Sequence, residues 1–97
     1  MNVKIKVRIN KKNNNNIEAY VGLTFDECFA VNGLKVIDGK NGLFVAFPSY
    51  KTSDGTYRDI VYPLDKAYRD KLTKAIIEKY EKEIDNYHEK DSYTNFE

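Results

Sequence analysis

Val36-Ile37-Asp38-Gly39-Lys40-Asn41-Gly42-Leu43-Phe44-Val45-Ala46-Phe47-Pro48-Ser49 is the stretch that decides the fold of this 97-residue chain. It reads as strand, tight turn, strand and stop. The two glycines bracket Lys40-Asn41, so the backbone can visit positive φ on either side of the reversal at little steric cost. Leu43 to Phe47 is a continuous apolar run, which predicts a strand covered on both faces. Pro48 has no N–H to give to a ladder, so pairing is expected to end there. The stretch is therefore a central hairpin.

Working outward, Val3, Ile5, Val7 and Ile9 alternate with Lys4, Lys6 and Arg8. Alternation with period two and β-branched residues predicts a strand with one face in the core and a basic row on the other. The row reads first as a solvated face that protects a sheet edge, and second as a phosphate-facing one. Asn10 to Asn16 is a polar, asparagine-rich loop. Alternation resumes with Ile17, Ala19, Val21, Leu23 and Phe25 on one face, closing a first hairpin. Asp26-Glu27 turns the chain, and Cys28 to Ile37 is a third strand, bent by a bulge near Asn32-Gly33. Gly42 to Phe47 is the fourth strand. Pro48 to Thr56 is a polar loop with a turn at Asp54-Gly55, and Tyr57 to Tyr62 is the fifth strand. Pro63 ends it, Asp65 suits a helix N-cap, and Lys66 to about Tyr87 is helical. Tyr68, Leu72, Ala75, Ile76 and Tyr80 lie on one face of that helix, so its first half packs on the sheet. The expected fold class is α+β: a twisted antiparallel sheet of about five strands with one C-terminal helix, in a single domain over residues 1–88. A polar tail, 89–97, is expected to be disordered.

Composition narrows the function. No run approaches the roughly 18 apolar residues of a membrane span, and the N-terminus lacks the apolar block of a signal peptide. Cys28 is the single cysteine and reads as a small buried hydrophobe. A cytoplasmic protein without an internal disulfide is expected. The net charge of +1 hides an asymmetry. Residues 1–12 carry five basic residues and no acid, whereas residues 77–97 hold seven acids and three lysines. Such a split points to an anionic partner on one side.

Catalytic chemistry is not expected. His88, the one histidine, falls in the tail, and no Cys/His cluster has zinc-ligand spacing. No glycine-rich phosphate loop precedes a helix. Asp38, Asp54 and Asp59 sit at turns, where Asp bonds its own backbone. No metal or cofactor is expected. What remains is positive charge and aromatic surface. Lys51 lies in the loop, Arg58 opens the fifth strand, and Lys66, Arg69, Lys71 and Lys74 crowd the start of the helix, where the helix N-terminus adds partial positive charge. Tyr20, Tyr50 and Tyr57 read first as buried or half-buried in the sheet, and second as platforms for unpaired bases.

Phe29-Ala30-Val31, the central hairpin from Val36 to Ser49, Asp54-Gly55-Thr56-Tyr57-Arg58-Asp59-Ile60 and Pro63-Leu64 resemble the stage V sporulation protein G family (SpoVG, the septation regulators). The likeness runs over about residues 3–80. It implies a dimeric bacterial protein with a twisted antiparallel sheet and a C-terminal helix. It further implies a regulator that binds DNA and RNA, acting on sporulation, cell division, capsule or virulence genes. The contacts it implies fall on Lys51 and Arg58, then Arg69 and Lys71. Tyr50 stands where relatives often have a base, and the Asn13–Asn16 tract is longer than usual.

The expected function is a homodimeric, non-enzymatic nucleic-acid-binding regulator, contacting phosphates through Lys51, Arg58, Lys66, Arg69, Lys71 and Lys74, with no membrane partner. The alternative is a protein-interaction adaptor in division or sporulation that uses an aromatic-rich surface and does not touch nucleic acid.

Overall fold

The computed structural model describes residues 2–11 and 16–96, with side chains described as far as Asn86. The N-terminal alternation forms β1 (Val3–Ile9), and β2 (Ile17–Phe25) returns along it with Val7 opposite Val21 and Ile5 opposite Leu23. β3 (Phe29–Gly39) and β4 (Gly42–Ala46) complete an antiparallel sheet in the order β1-β2-β3-β4. A separate hairpin, β5 (Ser49–Lys51) with β6 (Tyr57–Asp59), precedes the helix α1 (Lys66–Phe96). The α+β class expected from the sequence holds, with the strands divided into a sheet of four and a hairpin of two.

The helix lies on one face of the sheet. Leu72, Ile76 and Tyr80, four residues apart, are buried against Ala19, Val21, Leu23, Val31, Leu34 and Val36, with Phe47 closing one end. Val3, Ile5, Val7 and Ile9 of β1 are half-buried at the margin of this core. Burying each Leu, Ile or Val side chain contributes about 1.5–3 kcal/mol. The opposite face of the sheet is left open, and β1 presents Lys4, Lys6 and Arg8 there. Asp65 caps the helix as its position suggests: the Tyr68 N–H donates to Asp65 Oδ2 at 2.9 Å, and the Arg69 N–H to the Asp65 carbonyl at 2.9 Å.

Turn chemistry sets the strand ends. Phe25-Asp26-Glu27-Cys28 is closed by the Cys28 N–H to the Phe25 carbonyl at 3.0 Å, with φ of 49° at Asp26 and 59° at Glu27. Positive φ at both central residues is the type I′ arrangement that suits the twist of a hairpin. Asn2 straps this turn to β1, its N–H donating to Asp26 Oδ1 at 2.8 Å and its carbonyl accepting from the Asp26 N–H at 2.7 Å. Cys28 ends the turn and is exposed, not buried as its apolar neighbours suggested. At the second hairpin Gly39 pairs with Gly42, and positive φ is used at Gly42 alone, at 114°.

Two bulges redirect β2 and β3. Leu34 faces Val21 and Val31 faces Leu23, so Asn32-Gly33 together oppose Gly22, and Gly33 takes a φ of 93°. This is the bend expected at Asn32-Gly33. The second bulge, at Glu18, was not legible in the alternation. Ile17 pairs with Ile37 although Ala19 pairs with Val36, which turns Ile17 off the core face that it was expected to share with Ala19.

Three strand expectations are corrected. β4 is an edge strand, so the apolar run is covered on one face and Phe44 stays exposed on the other. The loop after Pro48 contains β5, because the chain resumes extended geometry once past the proline. β6 stops at Asp59, since its three-residue partner offers no more ladder; the Ile60 N–H closes onto the Pro48 carbonyl at 2.7 Å, and Ile60 and Val61 face solvent. The helix continues in its backbone to Phe96, past the end expected near Tyr87. Lys12, Asn13 to Asn15 and Glu97 lie outside the described residues, as do the side chains of the tail expected at 89–97 and of His88.

The loop between β5 and β6 is organised by one carboxylate. Asp54 Oδ1 accepts from the Thr52 hydroxyl, from the Thr56 hydroxyl at 2.8 Å and from the Thr56 N–H at 3.1 Å. These donors, Thr52 first, hold the Asp54 carboxyl at about 2, below its ordinary 3.8. The hydrogen bonds are complete above the ordinary value and are lost as pH falls through about 2. Side-chain NMR should therefore find Asp54 titrating near 2, and Thr52→Ala should move it upward. The core carries a second prediction: Leu34→Ala, at a fully buried position, should cost about 2–5 kcal/mol in urea unfolding.

Candidate nucleic-acid interface

An ion pair joins the β5–β6 hairpin to the helix start. In its register Ser49 faces Asp59, Tyr50 faces Arg58 and Lys51 faces Tyr57. Alternation therefore puts Lys51, Tyr57 and Asp59 on one face and Tyr50 and Arg58 on the other. Asp59 Oδ2 accepts from Arg69 Nη2 at 3.1 Å, which turns the Lys51 face toward the helix. The Arg69 guanidinium also lies over the Phe47 ring, 5.0 Å from its centroid. Both partners of the ion pair are partly exposed, so it contributes about 1 kcal/mol at most. Its importance is in placement.

Around the helix the cations spread. Successive residues turn by about 100°, so Arg69 and Lys71 sit about 200° apart and cannot share a face. Lys66 and Arg69 lie on the hairpin side. Lys71 lies toward the flank of Ala75, Glu78 and Lys82, which meets Val3 to Ile5 of β1. Lys74 points to solvent. The structure thus brings Lys51, Lys66 and Arg69 to one end of the molecule, with Arg58 on the outer face of the hairpin and Lys71 on the far side of the helix.

The charge pattern is sharper than the count of residues suggests. Between residues 48 and 74 there are six bases and four acids. Every one of those acids is engaged: Asp54 by the two threonines, Asp59 by Arg69, Asp65 by the helix N-terminus, and Asp70 by Lys66 Nζ at 3.1 Å. Lys51, Arg58, Lys71 and Lys74 are left exposed and make no ion pair among the described residues. Tyr50 and Tyr57 are exposed beside them, contrary to the burial expected of sheet tyrosines, because their hairpin stands apart from the main sheet.

Sequence reasoning missed an apolar ridge. Ile60, Val61, Tyr62 and Leu64 are all exposed, Leu64 to 93%, and the last three border a cleft of about 340 Å³ floored by Leu34, Phe47 and Leu72. The available signal was Pro63, which denies a ladder to the segment that the apolar pattern assigned to a strand. Among the described residues no group of His, Cys, Asp and Glu could hold a metal ion, and no helix is long and apolar enough to cross a membrane.

Comparison with known proteins identifies the family of this chain. Residues 1–82 match the family model for SpoVG. A relative from Caldicellulosiruptor saccharolyticus, named "Putative septation protein SpoVG", is 50% identical over 76 residues, which cover 77% of this chain and 86% of the relative. Relatives of the same name from Caldanaerobacter subterraneus and Bdellovibrio bacteriovorus are 48% identical over 81 residues and 47% identical over 79 residues. The first of these matches spans 82% of this chain and 89% of the relative, the second 81% and 73%. With the family model covering most of its length, this chain belongs to the SpoVG family.

Proposed function

We propose that this SpoVG-family chain is a non-enzymatic nucleic-acid-binding regulator of septation or sporulation gene expression, cytoplasmic and homodimeric, that binds DNA and takes RNA as a second target. The observation that carries the reading is the accounting of charge between residues 48 and 74: the local acids are used inside the fold, and Lys51, Arg58, Lys71 and Lys74 remain unanswered. Cations without carboxylate partners are available to phosphates, and binding through them releases counterions and falls with salt. Arg58, exposed and unpaired, is the group suited to reading a base edge. Arg69 serves as a positioning residue that holds the hairpin through Asp59 and Phe47.

The apolar ridge supports the dimer. A two-fold interface needs a surface that complements itself. Here a projecting Leu64 stands beside a cleft of about 340 Å³, knob and hole on one surface. The same ridge favours the second reading, an adaptor whose partner covers Ile60 to Leu64 and which has no affinity for nucleic acid.

Gel shift with duplex DNA across a salt series separates the two. The parent is expected to bind with a linear dependence of log affinity on log salt. Lys51→Ala with Arg58→Ala should weaken binding at least about tenfold and reduce the slope by roughly 0.9 for each phosphate no longer neutralised. Unchanged affinity in that double variant removes the site, and a parent that binds no nucleic acid favours the adaptor. Leu64→Asp should convert the dimer to a monomer in sedimentation velocity, and a monomeric parent would dismiss the two-fold arrangement.

A further inference from the structure

The face of the main sheet turned away from the helix has no part in the site above, and it carries a row of basic residues. From β1 it receives Lys4, Lys6 and Arg8; from β2, opposite them, Thr24, Gly22 and Tyr20. Lys35 stands next to Tyr20 on β3, and Phe44 of β4 is exposed across from Ile37. Lys4 is answered by Glu27 at 2.8 Å. Lys6, Arg8 and Lys35 have no carboxylate partner among the described residues. The bulged Glu18 has left this face: its charge is felt by Tyr80, on the helix side.

The face also has relief. Opposite the bulge, Gly22 and Gly33 carry no side chain, and a recess of about 370 Å³ opens between Lys6, Arg8, Tyr20 and Asn32. Asn32 lies across its floor; a Cβ on Gly22 would stand 2.6 Å from Asn32 Oδ1. The Asn32 carboxamide has no hydrogen-bond partner among the described residues, so its donors and acceptor are available. At one wall the Arg8 guanidinium lies over the half-exposed Tyr20 ring, 5.5 Å from its centroid, covering one ring face and leaving the other for a base.

We propose that this open sheet face is a second binding surface, for extended single-stranded nucleic acid, with Lys6, Arg8 and Lys35 on the phosphates, Tyr20 stacking a base and the Asn32 carboxamide reading a base edge in the recess. Lys6 and Arg8, two residues apart, lie about 6.5 Å from each other along the strand, a pitch that an extended phosphate backbone can follow. The choice of a single strand follows from the ring and the amide. A duplex keeps its bases stacked and would meet this face with phosphates alone, leaving Tyr20, Asn32 and the recess unused. An unpaired strand can splay bases onto an aromatic side chain of a sheet. The surface is separate from the Lys51–Lys74 cations, so it extends the proposed function without sharing its residues.

The test is fluorescence anisotropy of the full chain with labelled oligouridylate, oligothymidylate and a hairpin DNA duplex, in a salt series. Lys6→Ala with Lys35→Ala should weaken single-strand binding about tenfold or more and reduce its salt slope by roughly 1.4, since each single-strand phosphate contributes about 0.7. Tyr20→Ala should weaken the single strand about 5- to 100-fold with the slope unchanged, because stacking releases no counterion. Duplex binding should be unaffected by either. Both variants must keep the parent's circular dichroism; Tyr20→Phe, which preserves the ring, should bind like the parent and guards against a folding artefact. The inference is overturned if the lysine variant binds single strands as the parent does, or if single-strand binding is lost through Lys51→Ala with Arg58→Ala instead. A parent that binds duplex but not single strands sinks this inference and leaves the proposed function standing; a parent that binds neither sinks both.

Discussion

The packing of Leu72, Ile76 and Tyr80 onto the β2–β3 face is the interaction on which the rest depends. A four-stranded sheet of this size has two faces, and the chain has one long helix with which to cover them. Covering one face creates the core; the other is left to water. Each side chain in the stripe removes apolar area on both partners, and a small domain has little such area to spare. The burial is clean: among the described residues no buried side-chain polar atom lacks a partner, and the core is apolar except for the Tyr80 hydroxyl, whose acidity burial weakens.

That asymmetric covering organises the surface. Because the helix starts beside Phe47 at the end of β4, the segment between Pro48 and Pro63 has to turn back over the rim of the core. It does so as a short hairpin, docked by Arg69 to Asp59 and Phe47. The hairpin is too short to cover the apolar residues that follow it, so Ile60 to Leu64 stand out as a ridge. Lys51, Lys66 and Arg69 and the apolar ridge thus lie next to each other at one end of the molecule. In the proposed dimer one would be covered while the other stayed open.

Bulges do more than bend the sheet. At Glu18 one extra residue on β2 moves an acid to the helix side and takes Ile17 off the core face. At Asn32-Gly33 the extra residue on β3 opens the recess and exposes an amide. Both changes leave the uncovered sheet face more basic and more sculpted than strict alternation would. The hairpin turns show a related economy of shape: Asp26 and Glu27 accept positive φ, and the strain is held by the Asn2 strap and the Lys4–Glu27 pair.

Local pattern was enough for β1, most of β2, the Asp26-Glu27 and Lys40-Asn41 turns, the Asn32-Gly33 bulge, the Asp65 cap and the helical stripe, apart from Ala75, which is exposed. Each is a property of neighbours within one or two turns of chain, where alternation, capping and turn chemistry act. The charged residues of the site were legible for the same reason, as residues. What they face was not. Whether Lys51 and Arg58 share a side depends on the register of β5 against β6, and Arg69 became a brace because Asp59 and Phe47 arrive from elsewhere in the chain. The edge position of β4, the exposure of Cys28 and the ridge at Ile60 to Leu64 likewise depend on what fails to cover them. Sequence by itself determined the elements, because periodicity and turn propensity are local energies. Tertiary structure alone decided which faces are buried, paired or free, because burial is set by the one helix and the partners it brings, and those lie far apart along the chain.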